Sequence, residues 1–523
     1  MSEATAMPGS LPGSLPGSPA GALPGPGPAR GPVRASARAP ARARSRSMSS
    51  YLVGPFATPF AVFAITLVLI LARQGRLLEL VFMPMGVAVA YWLYRRYPAH
   101  YLSFVCWLFF LTPEVRRFAD YYKGAFNQTS IIMTTPLIAA SLSGITMLLN
   151  YRQLGQRRAA PLIMMLIAIM YGYVMGVVQF GILPATFTVI GWLQPLFIAW
   201  YVMLNWRLYP LFRRVLFRTF IYGTILMGFY GIYQYVAPPP WTVFWLMQSG
   251  MGTSSGTPVP FGMRICSTMN STGPFAMTML VGLLMSLASR SKMKIVAGVA
   301  GVPALLFTAV RTSWGALVIG LIYPLAMLDV RSRLRLLMAV FLFAGLGTPM
   351  LMIDQISAPL VRRMSTIGNL SDDNSFQARQ GFYTNFSSIA EESFAGHGMG
   401  STGLASKLAD PHAQIIASLD SGVVDVLWVL GWPGGLLYVA GLFMLLWRAF
   451  TASLARPGDR FAISGVGAAI AILAIMVMID TMQGSTGIYF MFGVLMPVIG
   501  VRYARDQQRR AAAIGGVHKR GLA

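Results

Sequence analysis

Residues 161–179 read PLIMMLIAIMYGYVMGVVQ, nineteen positions without a charge. As a helix this stretch is about 28 Å long, close to the hydrocarbon thickness of a bilayer. Arg152, Arg157 and Arg158 stand just before it, where short cytoplasmic loops concentrate lysine and arginine. The same pattern recurs at about 51–72, 77–94, 101–112, 131–150, 184–205, 217–237, 272–289, 295–310, 312–328, 336–353, 423–447, 461–480 and 485–501. Stretch 101–112 is too short to cross without tilt, extension or a re-entrant path. The expected fold class is an all-α integral membrane protein of about 12–14 transmembrane helices, with a large outer loop carrying short amphipathic helices.

Composition agrees, since 55% of the 523 residues are hydrophobic and 11% charged, against about a quarter charged in soluble domains. The net charge of +25 does not point to nucleic acid, because the basic residues lie between apolar spans. With the N-terminus inside, alternate loops hold thirty of the 41 lysines and arginines. The outer set is Arg73, Arg76, Arg116, Arg117, Lys123, Arg264, Arg311, Arg362, Arg363, Arg379 and Lys407. These defy the orientation rule, so function is expected on the outer face. Cys106 and Cys266 suggest neither a disulfide framework nor a thiolate metal site.

Five regions follow. Residues 1–48 form a basic Pro/Gly/Ala/Arg-rich tail with too little apolar surface to fold, and Met48 stands as an alternative first residue. Transmembrane helices occupy 49–353, a large outer loop 354–422, further transmembrane helices 423–501, and a basic tail 502–523. A second long outer segment runs from about Ala237 to Ser271. Both termini are expected in the cytoplasm.

In the large loop, SFQARQGFYTNFSSIAEESF places Phe376, Phe382, Tyr383, Phe386 and Ile389 on one face of a short surface helix led by Arg379. GHGMGSTG, residues 396–403, follows; its glycines permit close backbone approach, either to a ligand such as phosphate or simply within a turn. Then come Pro411-His412-Ala413-Gln414, Asp420-Ser421-Gly422 and Leu430-Gly431-Trp432-Pro433-Gly434-Gly435. The acidic pairs Asp372-Asp373 and Glu391-Glu392 read as solvated charge, and no metal or other cofactor is expected.

Together with RTSWGA (311–316) and FGMRICSTMNSTGPFAM (261–277), this ordered set resembles the bacterial O-antigen polymerase and O-antigen ligase family over about residues 215–500. The resemblance implies glycosyl transfer from undecaprenyl-diphosphate-linked glycan at the outer face of the bacterial inner membrane. In the ligase pattern a His-x-Asn/Ser/Gln stands shortly before Gly-x-x-Gly, which maps to His412 and Gln414. Sixteen residues separate Gln414 from Gly431 here, more than that pattern has, and another alignment puts Asp420-Ser421 in that place. His412 and Asp420 are therefore both candidates for the general base.

Arginine suits the departing diphosphate because its planar, permanently charged fork matches phosphate oxygens. Arg264 and Arg311 are the candidates for that role, with Arg379, Arg116 and Arg117 as contacts to glycan or lipid phosphate. Expected partners are undecaprenyl-diphosphate-linked oligosaccharide, membrane lipids and other polysaccharide assembly proteins, and no nucleic acid. The stretched ligase motif favours polymerase over ligase. A flippase of lipid-linked oligosaccharide is the competing class, for which internal repeats and charges in mid-span would be expected.

Overall fold

A computed structural model describes residues 54–289, 291–347, 394–403, 405–406, 421–478 and 482–520. Arg379, His412, Asp420 and the N-terminal tail lie outside the described residues. Among the described residues there are helices and no strand.

The helices are α1 (Ala57–Leu71), α2 (Gly75–Arg96), α3 (Pro98–Lys123), the pair α4 (Thr134–Ser141) and α5 (Ser143–Leu149), α6 (Ala160–Phe180), α7 (Ile182–Leu204) and α8 (Tyr209–Val236). They continue as α9 (Pro240–Ser249), α10 (Thr272–Ser286), α11 (Met293–Phe307), α12 (Arg311–Met327), α13 (Val330–Gly347), α14 (Gly422–Leu454), α15 (Arg460–Met476) and α16 (Gly484–Arg520). Where its residues are described, each apolar stretch of the sequence falls on these helices, 131–150 on the pair α4 and α5. Among the described residues, seven helical stretches are long and apolar enough to cross a membrane: Gly75–Arg96, Ile131–Leu149, Arg157–Phe180, Ile182–Leu204, Trp206–Val236, Gly422–Leu454 and Gly484–Ala513. Shorter apolar helices, α1, α10, α11 and α15, pack with them. The chain is a multi-pass, all-α membrane protein.

Burial separates centre from rim. The apolar window of α16 is 78% buried, whereas that of α2 is 28% buried, so α16 is the helix around which others are laid. It packs against α7, α14 and α15, and Tyr489, Phe490, Met491 and Phe492 are fully enclosed. At the rim, Phe60 and Leu71 of α1 are 75% and 73% exposed, surface that only lipid tails solvate well. Helices approach closely where side chains are absent, as membrane packing favours. A Cβ on Gly467 of α15 would stand 2.5 Å from the Gly320 carbonyl of α12.

Two helices run past the apolar stretches that mark them. The doubtful span at 101–112 is the first half of α3, which continues through Pro113 and the charged residues Glu114, Arg116, Arg117, Asp120 and Lys123. Its 26 residues make a rod about 39 Å long, so the short apolar stretch is met by extension, with Glu114, Arg116, Arg117 and Asp120 of its second half buried among its neighbours. The C-terminal segment 502–523, read as a tail, is helical as far as Arg520 and belongs to α16.

Gly467→Leu would force α12 and α15 apart. An overpacked contact of this kind costs about 1–3 kcal/mol, so the expected result is a lower unfolding temperature in detergent. An unchanged midpoint would show that the two helices do not meet there.

Candidate functional site

The charged end of α3 and the segment between α9 and α10 form one assembly. Arg117, 0% exposed, donates from Nη1 to Glu114 Oε2 at 2.7 Å and to the Ser267 carbonyl at 2.6 Å. Its Nη2 reaches the Met269 carbonyl and Cys266 Sγ, and its guanidinium lies 4.9 Å from the centre of the Trp245 ring on α9. Glu114 is held from its other side by the Tyr230 hydroxyl of α8 and by Trp241 Nε1 at 2.7 Å. A charge withdrawn from water survives only when paired and hydrogen-bonded, and here the pairing carbonyls come from residues 267 and 269.

Gln234 of α8 completes the cradle. Its Oε1 accepts from the backbone N–H of Ser267 at 2.9 Å and of Cys266 at 3.3 Å. Thr268 Oγ1 donates to the Phe110 carbonyl at 2.5 Å, beside the intrahelical bond that Pro113 deletes. These ties hold Ser267 at φ 50°, a left-handed conformation that costs a non-glycine residue energy and persists only where the surroundings impose it. Burial pushes the Cys266 thiol up, against the opposing charge of Arg117, so it is no poised nucleophile.

The pinned segment delivers Arg264. Its backbone N–H donates to Ser255 at 2.7 Å, and its side chain turns to the loop before α12, with Nε donating to the Thr308 carbonyl at 3.0 Å and Nη2 to Ala309 at 3.4 Å. The next bond along, Ile265 N–H to the Phe307 carbonyl at 3.2 Å, ties the same two stretches. Ala309 has φ 54°, a second strained position, and two residues later Arg311 opens α12. Residues 47 apart in sequence are thus brought to one turn, and both side chains are half-buried. The positive end of the α12 dipole adds to the electropositive character of this place.

Arg116 and Arg117 are turned into the protein. Arg116 is 6% exposed and engages Asp120 at 3.4 Å and the Asn127 carbonyl at 2.5 Å, while Lys123 and Asn127 both bind Glu79 at 2.7 Å. Arg116 and Arg117, expected as contacts to glycan or lipid phosphate, are both buried, and the bonds of Arg117 to residues 266–269 position the Arg264 segment. Glu114, Tyr230, Gln234 and Trp241, which complete that support, were not singled out in the sequence. The available signal was the spacing of Glu114 with Arg117 and Arg116 with Asp120, three and four apart on a helix.

The glycine-rich stretch before α14 is also packed. α14 breaks at Gly431, with φ 64° and ψ −177°, leaving carbonyls without helical partners. Residues 394–399 fill the gap. His397 N–H donates to Trp428 at 2.8 Å, Gly398 to Val429 at 3.0 Å, Met399 to Gly172 of α6 at 2.9 Å, and Trp432 N–H donates back to Phe394 at 3.0 Å. A Cβ on Gly398 would strike the backbone of Gly176, and one on Gly396 the backbone of Gly431. The N–H groups of residues 397–399 are spent on protein carbonyls, so Gly396 and Gly398 serve close packing here.

His397 stacks on Trp428 with ring centres 3.6 Å apart. Burial holds its imidazole below the ordinary value of 6.5, although the hydrogen bond with Trp428 pulls the other way. The general-base candidates His412 and Asp420, and Arg379, lie outside the described residues. Among the described residues no three His, Cys, Asp or Glu side chains gather as a metal site. No protein-family model and no curated protein matches this sequence.

Two outcomes are expected. Arg117→Met strands Glu114 and should cost about 3–5 kcal/mol, read as a fall in thermal midpoint that Glu114→Gln partly restores; equal midpoints for wild type and Arg117→Met would dismiss the clamp. Undocking the 394–403 strap frees His397 to take up a proton, so docking is strongest above the ordinary imidazole value and weakens as pH falls below it. Hydrogen exchange at residues 396–400, corrected for intrinsic rates, should rise on acidification in wild type and stay level in His397→Phe.

Proposed function

We propose that this protein transfers a glycan from an undecaprenyl-diphosphate carrier to an acceptor hydroxyl, as a polymerase of surface polysaccharide repeat units in the bacterial inner membrane. The observation that supports this most is the meeting of Arg264 and Arg311 at a single turn. Breaking the bond between sugar C1 and the diphosphate leaves negative charge on the departing phosphate. Two permanently charged forks beside a helix N-terminus stabilise charge that grows only as the bond breaks.

The step is an inverting displacement. The acceptor hydroxyl attacks C1 and passes its proton to a general base, while the diphosphate leaves with the bonding electron pair. His412 and Asp420 remain the candidates for that base, and both follow the packed strap of residues 394–403 in the chain. In this reading the α3 clamp has no chemical part; it holds residues 264–269 and so fixes Arg264 beside the start of α12. Both termini are placed in the cytoplasm and the arginine pair on the outer face.

The break in α14 favours one competitor, because discontinuous helices are a hallmark of transporters. In this protein the break is filled by residues 394–399, which suits a fixed scaffold better than a translocation path.

Deleting the gene and weighing the lipid-linked glycans separates the possibilities: single repeats accumulate without a polymerase, finished polymer stays on its carrier without a ligase, and repeats remain on the inner leaflet without a flippase. Complementation with Arg264→Ala or Arg311→Ala should lower polymer formation by about 10²–10³-fold at normal membrane abundance, with Arg311→Lys intermediate. Normal polymer from both alanine variants would refute the diphosphate clamp.

A further inference from the structure

Four arginines meet in a recess at the opposite end of the bundle from Arg264. Arg95 closes α2, Arg158 precedes α6, Arg207 follows α7, and Arg502 reaches in from α16; together they border a cavity of about 610 Å³. That lies within the roughly 300–1,000 Å³ of small-molecule sites. Pro98, on its rim, begins the helix that carries Arg117 nineteen residues later, which separates the two ends by about 28 Å.

Its charge is unbalanced. Among the described residues that line the recess none is acidic; Asp506, one turn beyond Arg502, acts on Arg502 from outside the lining and is shared with Arg510 at 2.9 Å, one carboxylate against four guanidinium groups. Elsewhere among the basic loops carboxylates are found: Arg456 meets Asp459 at 3.5 Å and Arg460 meets Asp329 at 3.2 Å. An orientation signal alone requires only that positive charge stay on one side; it does not require four guanidinium groups from separate helix ends to border one hollow.

The surroundings are built to hold them. Arg207 and Arg502 both lie over Trp206, 4.9 and 4.3 Å from a ring centre, cation–π contacts that orient the guanidinium planes. Arg448 donates to the carbonyls of Arg158 at 2.8 Å and Arg157 at 3.1 Å, fixing that loop. The floor is tied by Tyr94 to Thr146 at 2.7 Å and by Tyr201 to the Tyr94 carbonyl at 3.2 Å. The amides of Asn150, Gln153 and Asn205 line the same wall.

We propose that this recess is a binding site for a phosphate group, carried either on the headgroup of a membrane lipid or on a soluble phosphate compound. All four cations are arginine, whose fork pairs with two phosphate oxygens at once where lysine offers a point charge. The inference rests on this cavity alone and is independent of the glycosyl-transfer reading.

The test uses the full chain in nanodiscs. In one arm the discs contain phosphatidylcholine with or without phosphatidylglycerol, and retained lipid is counted by native mass spectrometry; in the other, phosphatidylcholine discs are titrated with pyrophosphate while the unfolding temperature is followed. Arg158→Gln/Arg502→Gln and the exposed Arg207→Gln are compared with Arg96→Gln, an exposed neighbour outside the recess. Loss of a charge-assisted bond should weaken binding about tenfold or more in the recess variants and leave Arg96→Gln like wild type. Such a loss in the phosphatidylglycerol arm assigns a lipid phosphate, and in the pyrophosphate arm a soluble one. Binding in neither arm, or an equal loss in Arg96→Gln, overturns the site.

Discussion

The Arg117 guanidinium, withdrawn wholly from water in the charged half of α3, is the constraint from which the arrangement of this end of the bundle follows. Its charge has to be answered inside the protein, and the answer draws on Glu114, two backbone carbonyls, a thiol and an indole. Those partners belong to α3, to α9 and to the segment before α10, so satisfying one ion fixes the relation of three pieces of chain. Gln234 and Thr268 then hold the same segment from α8 and α3. The direction in which Arg264 leaves is a consequence of these ties, as is the strained backbone at Ser267.

The helical class and the helix positions were legible because apolar runs near bilayer length have few other physical meanings. The stretch at 101–112 looked short for a physical reason. Pro113 and five charged residues within eleven positions read as the end of a span, since hydropathy treats each charge as facing solvent or lipid. Charges that answer one another inside a bundle offset part of that cost, and the helix runs on. The basic C-terminal stretch was read as a tail by the same logic, although its helix begins in the most deeply buried part of the molecule.

At the candidate site the pairing of Arg264 with Arg311 could be anticipated from residue type and position, but their proximity could not. It depends on hydrogen bonds to carbonyls, and any residue supplies a carbonyl, so the sequence pattern carries no trace of the contact. The reverse holds for the glycines at 396–403. Their spacing is visible, and it is equally compatible with a bound anion and with a neighbouring backbone. Only the positions of Gly176 and Gly431 show that the second is present.

The break at Gly431 also has a bearing on how the chain is made. Carbonyls released in the middle of a membrane helix are costly in lipid, yet the groups that satisfy them, in residues 394–399, and the helix that backs them, α6, all precede α14 in sequence. Synthesis proceeds from the N-terminus, so the receiving surface is already translated when the interrupted helix emerges from the ribosome. Vectorial insertion can therefore deliver the flawed helix to a prepared berth, whereas a rearrangement placing α14 ahead of residues 394–399 would expose the flaw to hydrocarbon before its remedy existed.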